Sequence, residues 1–364
     1  MSGRALRAAV LAVHAGVGAV LAVNLAAFAR SRRRRPRGSV PRVSVLVPAR
    51  NEEANLQTLL PSVLRQRDVE VEVVVVDDAS EDGTWAVLQA HAGPRLVPVR
   101  GEGPPDGWVG KVWALHQAAA RATGDLFVFL DADAHFRHDR ALARVAGRWA
   151  ENGGPGTALT GLPRYLDRGP AALLTSLVPF AVLAALPVPL VPRTRAPALS
   201  ALNGQVWALG ADDYRRLGPH AANRAEVLED VMIGRYLKRR GVRLYFEDLS
   251  DEVGVRMYGS FAEAWGGFRK NAYLLAGGRP RPFAVFFAAY GASWVLPSVL
   301  AARGRPLPLL SLAAVKLAVD RWARFPLWVS ALGPVTLALG AALQLDSAWA
   351  HLRGRVAWKG RSVG

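Results

Sequence analysis

From Ala9 to Phe28 the chain runs for 20 residues without a charged side chain. A helix of that length rises about 30 Å, the thickness of a bilayer's hydrocarbon core, so the pattern predicts a membrane-spanning helix. The Ala-rich end at Ala26-Ala27-Phe28-Ala29 also suits a cleaved signal peptide, but the flanks favour an anchor. Arg30, Arg32, Arg33, Arg34 and Arg35 follow the run, against Arg4 and Arg7 before it. The more basic flank stays in the cytoplasm, which puts the N-terminus outside and the rest of the chain on the inner face of the cell membrane. Beyond Arg42 the period changes. Val43–Val47 and Val71–Val76 are short β-branched runs, and Leu126–Leu130 is a third, as strands buried on both faces should be. Glu52–Leu64 and Val109–Ala122 between them read as helices. This alternation predicts a doubly wound α/β domain with ligands beyond the carboxyl ends of its strands.

The apolar stretch 171–192 is broken by Pro179, Pro187 and Pro189, which predicts an interfacial or re-entrant element. Further on, Phe283–Leu300 and Phe325–Leu345 predict membrane segments, while Leu307–Val319 is shorter and carries Lys316. The number of C-terminal membrane helices stays open. The expected division is 1–41 anchor and basic flank, 42–280 α/β domain, and 281–364 C-terminal membrane segments with a basic tail. A formal charge of +17, from 46 basic and 29 acidic residues, calls for a polyanionic partner. Much of it sits in Arg30–Arg37 and Arg353–Arg361, beside apolar stretches and with no nucleic-acid motif between. An anionic lipid surface, not nucleic acid, is therefore the expected partner. The chain has no cysteine, so disulfides and thiolate metal sites are excluded.

Four segments carry candidate chemistry. Asp131-Ala132-Asp133 follows the third strand directly, and two residues apart in extended chain its carboxylates point the same way. Such a pair suits Mg²⁺ or Mn²⁺, which prefer oxygen ligands and bridge phosphates; a solvated strand end is the plainer alternative. The strand that breaks at Pro48 before Arg50-Asn51-Glu52 presents a helix start to the ligand crevice. The second strand ends in Asp77 and Asp78, which can accept from a base N–H or a ribose hydroxyl, or simply end a strand ahead of a helix capped by Ser80 or Asp82. Glu229-Asp230 opens a helix that ends at Gly241, as partners of its dipole or as catalytic carboxylates.

In this order and spacing Val-Pro-Ala-Arg-Asn-Glu-Glu (47–53), Val-Asp-Asp-Ala-Ser-Glu-Asp-Gly-Thr (76–84) and Asp-Ala-Asp (131–133) resemble the family-2 inverting glycosyltransferases of GT-A fold. With Gly107-Trp-Val-Gly-Lys-Val-Trp-Ala114, Ala201-Leu-Asn-Gly-Gln205, Val227-Leu-Glu-Asp-Val231 and Trp358-Lys-Gly-Arg361, the chain is similar to the membrane-bound branch associated with carotenoid or hopanoid glycosylation. The resemblance implies a nucleotide-sugar donor, in the first instance a UDP-sugar, and a membrane lipid acceptor. It places Asp77 or Asp78 on the uracil or its ribose near Pro48, Arg50 and Glu52, and Lys111 at the diphosphate. Asp131 and Asp133 become the metal and phosphate carboxylates, with Asp133 the direct ligand. Asp230 becomes the base for the attacking hydroxyl, and Asn203, Gly204 and Gln205, with Glu229, line the acceptor side. Where many members carry Gln-x-x-Arg-Trp, this chain has Trp265-Gly-Gly-Phe-Arg-Lys-Asn271. Trp265 and Arg269 are the nearest substitutes, and the departure argues against a processive polysaccharide synthase. A polyprenyl-phosphate glycosyltransferase and a non-catalytic nucleotide-sugar-binding module are the competing readings.

Overall fold

The computed structural model describes residues 3–33, 40–355, 357–358 and 361–362. Its chain forms two compact units: an α/β unit of residues 27–164 and 188–256, and a helical unit of residues 1–26, 165–187 and 257–364. The segments 165–187 and 257–280, expected within the α/β domain, fall with the helices instead.

The α/β unit is built on β1 (Val43–Ala49), β2 (Val71–Asp77), β3 (Leu96–Arg100), β4 (Leu126–Leu130), β5 (Ala134–Phe136), β6 (Thr157–Leu162), β7 (Arg164–Tyr165, which runs into the helical unit), β8 (Val206–Gly210), β9 (Arg243–Asp248) and β10 (Val253–Val255). Seven of these make one sheet in the order β3-β2-β1-β4-β8-β6-β9. β1 lies parallel to β2 and β4, β2 to β3, and β6 to β9. β8 runs antiparallel to both of its neighbours, pairing Leu130 with Val206. The sheet is thus mixed, and the antiparallel strand starts at the edge where β1, β2 and β4 end.

The predicted strands formed because their side chains are apolar on both faces: Val43, Val45, Leu46, Val47 and Val73–Val76 are wholly buried. Burying each such side chain stabilises by roughly 1.5–3 kcal/mol. Helix Glu53–Leu64 buries Leu56, Leu59, Leu60 and Val63, spaced as one stripe of a 3.6-residue period, and packs against β5. Phe129 of β4 stacks on its register partner Trp207 of β8 with ring centroids 3.9 Å apart. That contact helps lock the antiparallel strand against the parallel ones.

Helix Gly3–Arg33 covers the uncharged N-terminal run. Its last turns belong to the α/β unit, where Arg32 pairs with Asp248 at 2.5 Å and Ser31 donates to Glu247 at 2.8 Å. Within the helical unit the buried Asn24 donates to the carbonyls of Leu183 and Leu186 at 3.0 and 2.7 Å. Among the described residues two helices are long and apolar enough to cross a membrane, Arg4–Arg32 and Pro280–Ala302. The second contains the expected segment Phe283–Leu300. The other expected segment, Phe325–Leu345, is divided into Leu327–Ala331 and Gly333–Leu352 and does not form one apolar span. Pro326 and the Gly333-Pro334 pair start new helices there and interrupt the first run. The stretch 171–192 folds as short helices Ala171–Thr175 and Leu177–Ala185 and a 3-10 turn Val188–Arg193.

Helix Leu307–Ala323 holds a fully buried ion pair, Lys316 Nζ to Asp320 Oδ1 at 2.5 Å. Ser176 takes a further Lys316 proton at 3.0 Å, and Ser330 donates to Asp320 Oδ2 at 3.0 Å. Arg34, Arg35 and Arg37 of the first basic flank, and Lys359 of the tail, lie outside the described residues.

Candidate active site

The chain direction of the sheet gathers the motifs at one edge. β1 and β2 end side by side, and their turns are laced together. Asp78 N–H donates to Ala49 O at 2.8 Å, Asn51 N–H to Ser80 Oγ at 2.9 Å, and Glu81 N–H to Asn51 Oδ1 at 2.8 Å. Pro48, the residue before this turn, lies in register with Val76. Arg50 Nη1 donates to Asp78 O at 2.8 Å. Asn51 and Ala79 hold positive φ angles of 52° and 54°, a region that costs a non-glycine residue roughly 1–2 kcal/mol. Two such strained residues at a ligand edge mark a turn held in place by its surroundings. Glu52 donates its N–H to Thr84 Oγ1 at 2.8 Å and accepts from Asn55 Nδ2 at 2.6 Å. Asp77 is buried, accepts from Ser80 N–H at 3.0 Å, and faces Arg100 at 3.7 Å. The helix expected after it spans Thr84–Ala90; Asp82 accepts from both Thr84 and Glu53 N–H groups, at 3.0 and 3.2 Å.

Asp131 and Asp133 stand just past β4 in a tight turn, Ala134 N–H donating to Asp131 O at 3.0 Å. The backbone of this turn is tied on both sides. Asp131 N–H donates to Gln205 O at 3.3 Å and Arg256 N–H donates to Asp133 O at 3.0 Å. Lys111, in the first turn of helix Gly110–Arg121, reaches Asp131 Oδ1 at 2.7 Å and Glu229 Oε1 at 2.8 Å. One ammonium thus joins two carboxylates that are 98 positions apart in the sequence. Burial works against the Lys111 charge, but Asp131 and Glu229 outweigh it and hold its pKa well above the ordinary lysine value. Burial pushes Asp131 up; Lys111 opposes this, and Glu229 and Glu52 add to it.

The start of β8 supplies the second half of the site. Asn203 is anchored by Thr160 Oγ1, which accepts from its N–H at 3.0 Å, and by its own Nδ2 donating to Gly161 O at 2.9 Å. Its Oδ1 accepts from Gln205 N–H at 3.1 Å. Gly204 N–H then donates to Asp230 Oδ2 at 3.0 Å. A Cβ at position 204 would sit 3.2 Å from that oxygen, so the glycine is what lets the backbone come this close. Asp230 Oδ1 accepts from Val231 N–H at 2.7 Å, within the first turn of helix Glu229–Arg239. Burial, reinforced by Glu229, raises Asp230 to about 6 against the pull of Lys111 and the two N–H groups. A carboxylate poised there is matched to proton transfer near neutrality.

The donor set fits a hard divalent cation. Asp131 and Asp133 offer carboxylate oxygens, and Asp131 and Glu229 outnumber the Lys111 ammonium they face, while Glu52 adds negative charge beside Asp131. Among the described residues no group of three or more His, Asp or Glu side chains is arranged around a common point. The pair therefore suits Mg²⁺ or Mn²⁺ held by one or two carboxylates and completed by phosphate and water, not a cage made wholly of protein.

Trp265 and Arg269 lie on helix Phe261–Leu275 of the helical unit. Asp346 holds both, accepting from Trp265 Nε1 at 2.7 Å and pairing with Arg269 at 3.3 Å. Asp346 carried no sequence signal, since it interrupts an apolar run far along the chain. The same is true of Arg256 and Thr160, which fix the backbone around Asp133 and Asn203.

Comparison with known proteins bears on the domain's family and on its fold. Residues 44–171 match the model of Glycosyl transferase family 2. A 4,4'-diaponeurosporenoate glycosyltransferase from Staphylococcus haemolyticus is 35% identical over 108 residues, 30% of this chain and 28% of that relative. One from Staphylococcus aureus strain MRSA252 is 27% identical over 276 residues, covering 73% of this chain and 69% of its own. The chain thus spans little more than a quarter of one relative's length and about two thirds of the other's. A mannosyltransferase from Pyrobaculum calidifontis, solved in complex with GDP-Man and Mn²⁺, superposes with a TM-score of 0.52 at 21% identity, covering 95% of this chain and 99% of that one. That likeness shows the mixed α/β fold to be GT-A-like. Residues 44–171 thus match a glycosyl transferase family 2 domain, the part of the chain that forms the edge on which Asp77, Asp131 and Asp133 stand.

Proposed function

We propose that this chain is a membrane-attached inverting glycosyltransferase that moves a sugar from a nucleotide-sugar, in the first instance a UDP-sugar, to a carotenoid-type lipid acceptor. The observation that carries this reading is the convergence of Lys111, Asp131, Glu229 and Asp230 on the ligand edge of a family-2 domain. The acceptor class is supported by the diaponeurosporenoate glycosyltransferases among its relatives. The neighbour that holds GDP-Man makes GDP-sugars the first alternative donor to test. Membrane attachment is supported by the two apolar helices and by the basic flank of the first, which favours a cytoplasmic catalytic unit.

The roles follow from position. The laced turns at Pro48–Glu52 and Asp77–Asp78 present carboxylates and backbone to the nucleoside. Lys111 carries the positive charge that a diphosphate needs, and its two carboxylate partners hold it in place. Asp131 and Asp133 would hold Mg²⁺ or Mn²⁺, which supplies Lewis-acid stabilisation of the departing diphosphate. Asp230, aimed by Gly204 N–H and raised to about 6, takes the proton of the attacking hydroxyl. Inversion needs only one such base, because the leaving group departs on the opposite face. Asn203, Gly204 and Gln205 form the acceptor side; Trp265 and Arg269 are assigned there from the resemblance alone.

The test is nucleotide release by the detergent-solubilised full chain, with UDP- and GDP-sugars, Mg²⁺ or Mn²⁺, and carotenoid alcohol or acid acceptors. One donor should give acceptor-dependent release with an inverted anomeric product, lost in Asp133→Ala. Retention of anomeric configuration would overturn the assignment of Asp230.

The carboxylate in the relatives' named acceptor favours a second reading. An acceptor that arrives ionised, a carboxylate or a polyprenyl phosphate, needs no base, and Asp230 would then position it. Turnover in Asp230→Asn that is retained with acid acceptors and lost with alcohols would establish this reading.

A further inference from the structure

A cavity of about 480 Å³ opens on the α/β unit and shares no lining residue with the carboxylate site. Its walls come from the last turns of helix Gly3–Arg33 and from the 3-10 turn Val188–Arg193, and its floor from β9. Arg243, Tyr245 and Glu247 alternate along β9 and so share one face of that edge strand. Glu247 is already committed: it accepts from Ser31 Oγ at 2.8 Å and Asn152 Nδ2 at 2.7 Å, and Arg148 stands 3.6 Å away. It does not neutralise the rim. Arg30, Arg193 and Arg243 are exposed around the cavity, and no ion pair among the described residues engages them. Arg32, two residues beyond Arg30, shows the contrast, paired with Asp248 at 2.5 Å.

Three unengaged guanidinium groups above walls that include Phe28, Val188 and Pro189 form a receptor for an anion with an apolar body. The helix that makes the first wall brings its uncharged run, Ala9–Phe28, to within two residues of Arg30. If that helix spans a bilayer, Arg30 stands at headgroup depth, where arginine meets lipid phosphate. We infer that this cavity binds the phosphate headgroup of an anionic phospholipid, with the acyl chains along its apolar wall. The inference rests on the membrane attachment proposed above.

The test measures binding of dioctanoyl phosphatidylglycerol to the detergent-solubilised full chain by native mass spectrometry, against dioctanoyl phosphatidylcholine and glycerol 3-phosphate. The anionic lipid should bind at least tenfold more tightly than either. Neutralising one rim arginine should weaken binding roughly fivefold, and Arg193→Gln with Arg243→Gln about 25-fold. The exposed Arg195, which does not line the cavity, serves as control; Arg195→Gln should leave affinity unchanged. If the double variant is poorly folded, the single Arg193→Gln reads the same effect. Unaltered affinity in these variants overturns the inference, as does equal binding of glycerol 3-phosphate, which would mean a free-phosphate site. Alkaline carbonate extraction of membranes separates the two readings. Release of the wild-type chain defeats membrane attachment, whereas a membrane-retained chain with unaltered lipid affinity in the variants defeats the cavity alone.

Discussion

Replacing Lys111 by Met keeps the length of the side chain and removes the charge on which the site converges. Its ammonium lies 2.7 Å from Asp131 and 2.8 Å from Glu229, and the side chain keeps 21% of its exposure. With an effective dielectric constant of about 20, each attraction is worth roughly 6 kcal/mol before desolvation is charged against it. Removing one member of a buried charge network costs about 3–5 kcal/mol net; partial exposure places Lys111 near 3 kcal/mol. For a domain of this size that is a fall in Tm of roughly 6–12 °C. Without the ammonium, Asp131, Glu229 and Asp230 repel one another, so a divalent cation should bind the free protein more tightly. A diphosphate loses a charge-assisted partner worth about 1.5–3 kcal/mol, that is roughly 10- to 150-fold in Kd. Titration calorimetry with Mn²⁺ alone, and with UDP or GDP, reads both effects. Opposite movements of metal and nucleotide affinity are expected. Unchanged nucleotide affinity with an unchanged Tm would refute the placement of Lys111 at the phosphates.

Four further outcomes follow from the structure. Gly204→Ala puts a methyl 3.2 Å from Asp230 Oδ2 and should lower kcat about tenfold with little change in Tm; normal kcat would show that the position of Asp230 is not critical. Because Asp230 is raised from 3.8 to about 6, kcat/KM with an alcohol acceptor should rise through pH 6, and a flat profile from pH 5 to 7 would exclude it as the base. The folded state holds that proton more tightly than the unfolded chain, so ionisation costs stability as pH rises through this range. Asp230→Asn should therefore raise Tm at pH 7.5 and leave it unchanged below about pH 3, where both states are protonated. In the helical unit Lys316→Met strands the wholly buried Asp320 and should cost about 3–5 kcal/mol, while Lys316→Met with Asp320→Leu should recover most of it, read by thermal unfolding in detergent. Equal loss in single and double variants would show that the pair is no isolated electrostatic unit.

The local pattern was enough to locate β1, β2 and β4 and the helices between them. Val43–Val47 became Val43–Ala49, Val71–Val76 became Val71–Asp77, and Leu126–Leu130 kept its bounds. A strand buried on both faces must be apolar at every position, and helix Glu53–Leu64 must place its apolar residues on one stripe, so both are written in adjacent residues. The Asp pairs were legible for the same reason: each stands at the end of a strand. The uncharged run Ala9–Phe28 within helix Gly3–Arg33 could be counted from the chain. The second C-terminal segment could not, because hydropathy is summed along the sequence while the break at Pro326 and Gly333-Pro334 depends on local backbone geometry.

What the sequence by itself determined is therefore the set of elements and the chemical groups at their ends. Tertiary structure alone decided which groups meet. The reversed strand β8 brings Gly204 to Asp230, and helix Gly110–Arg121 aims Lys111 at both Asp131 and Glu229. Contacts between residues this far apart leave no periodic trace. They depend on strand order, strand direction and packing, and these minimise free energy only over the whole chain.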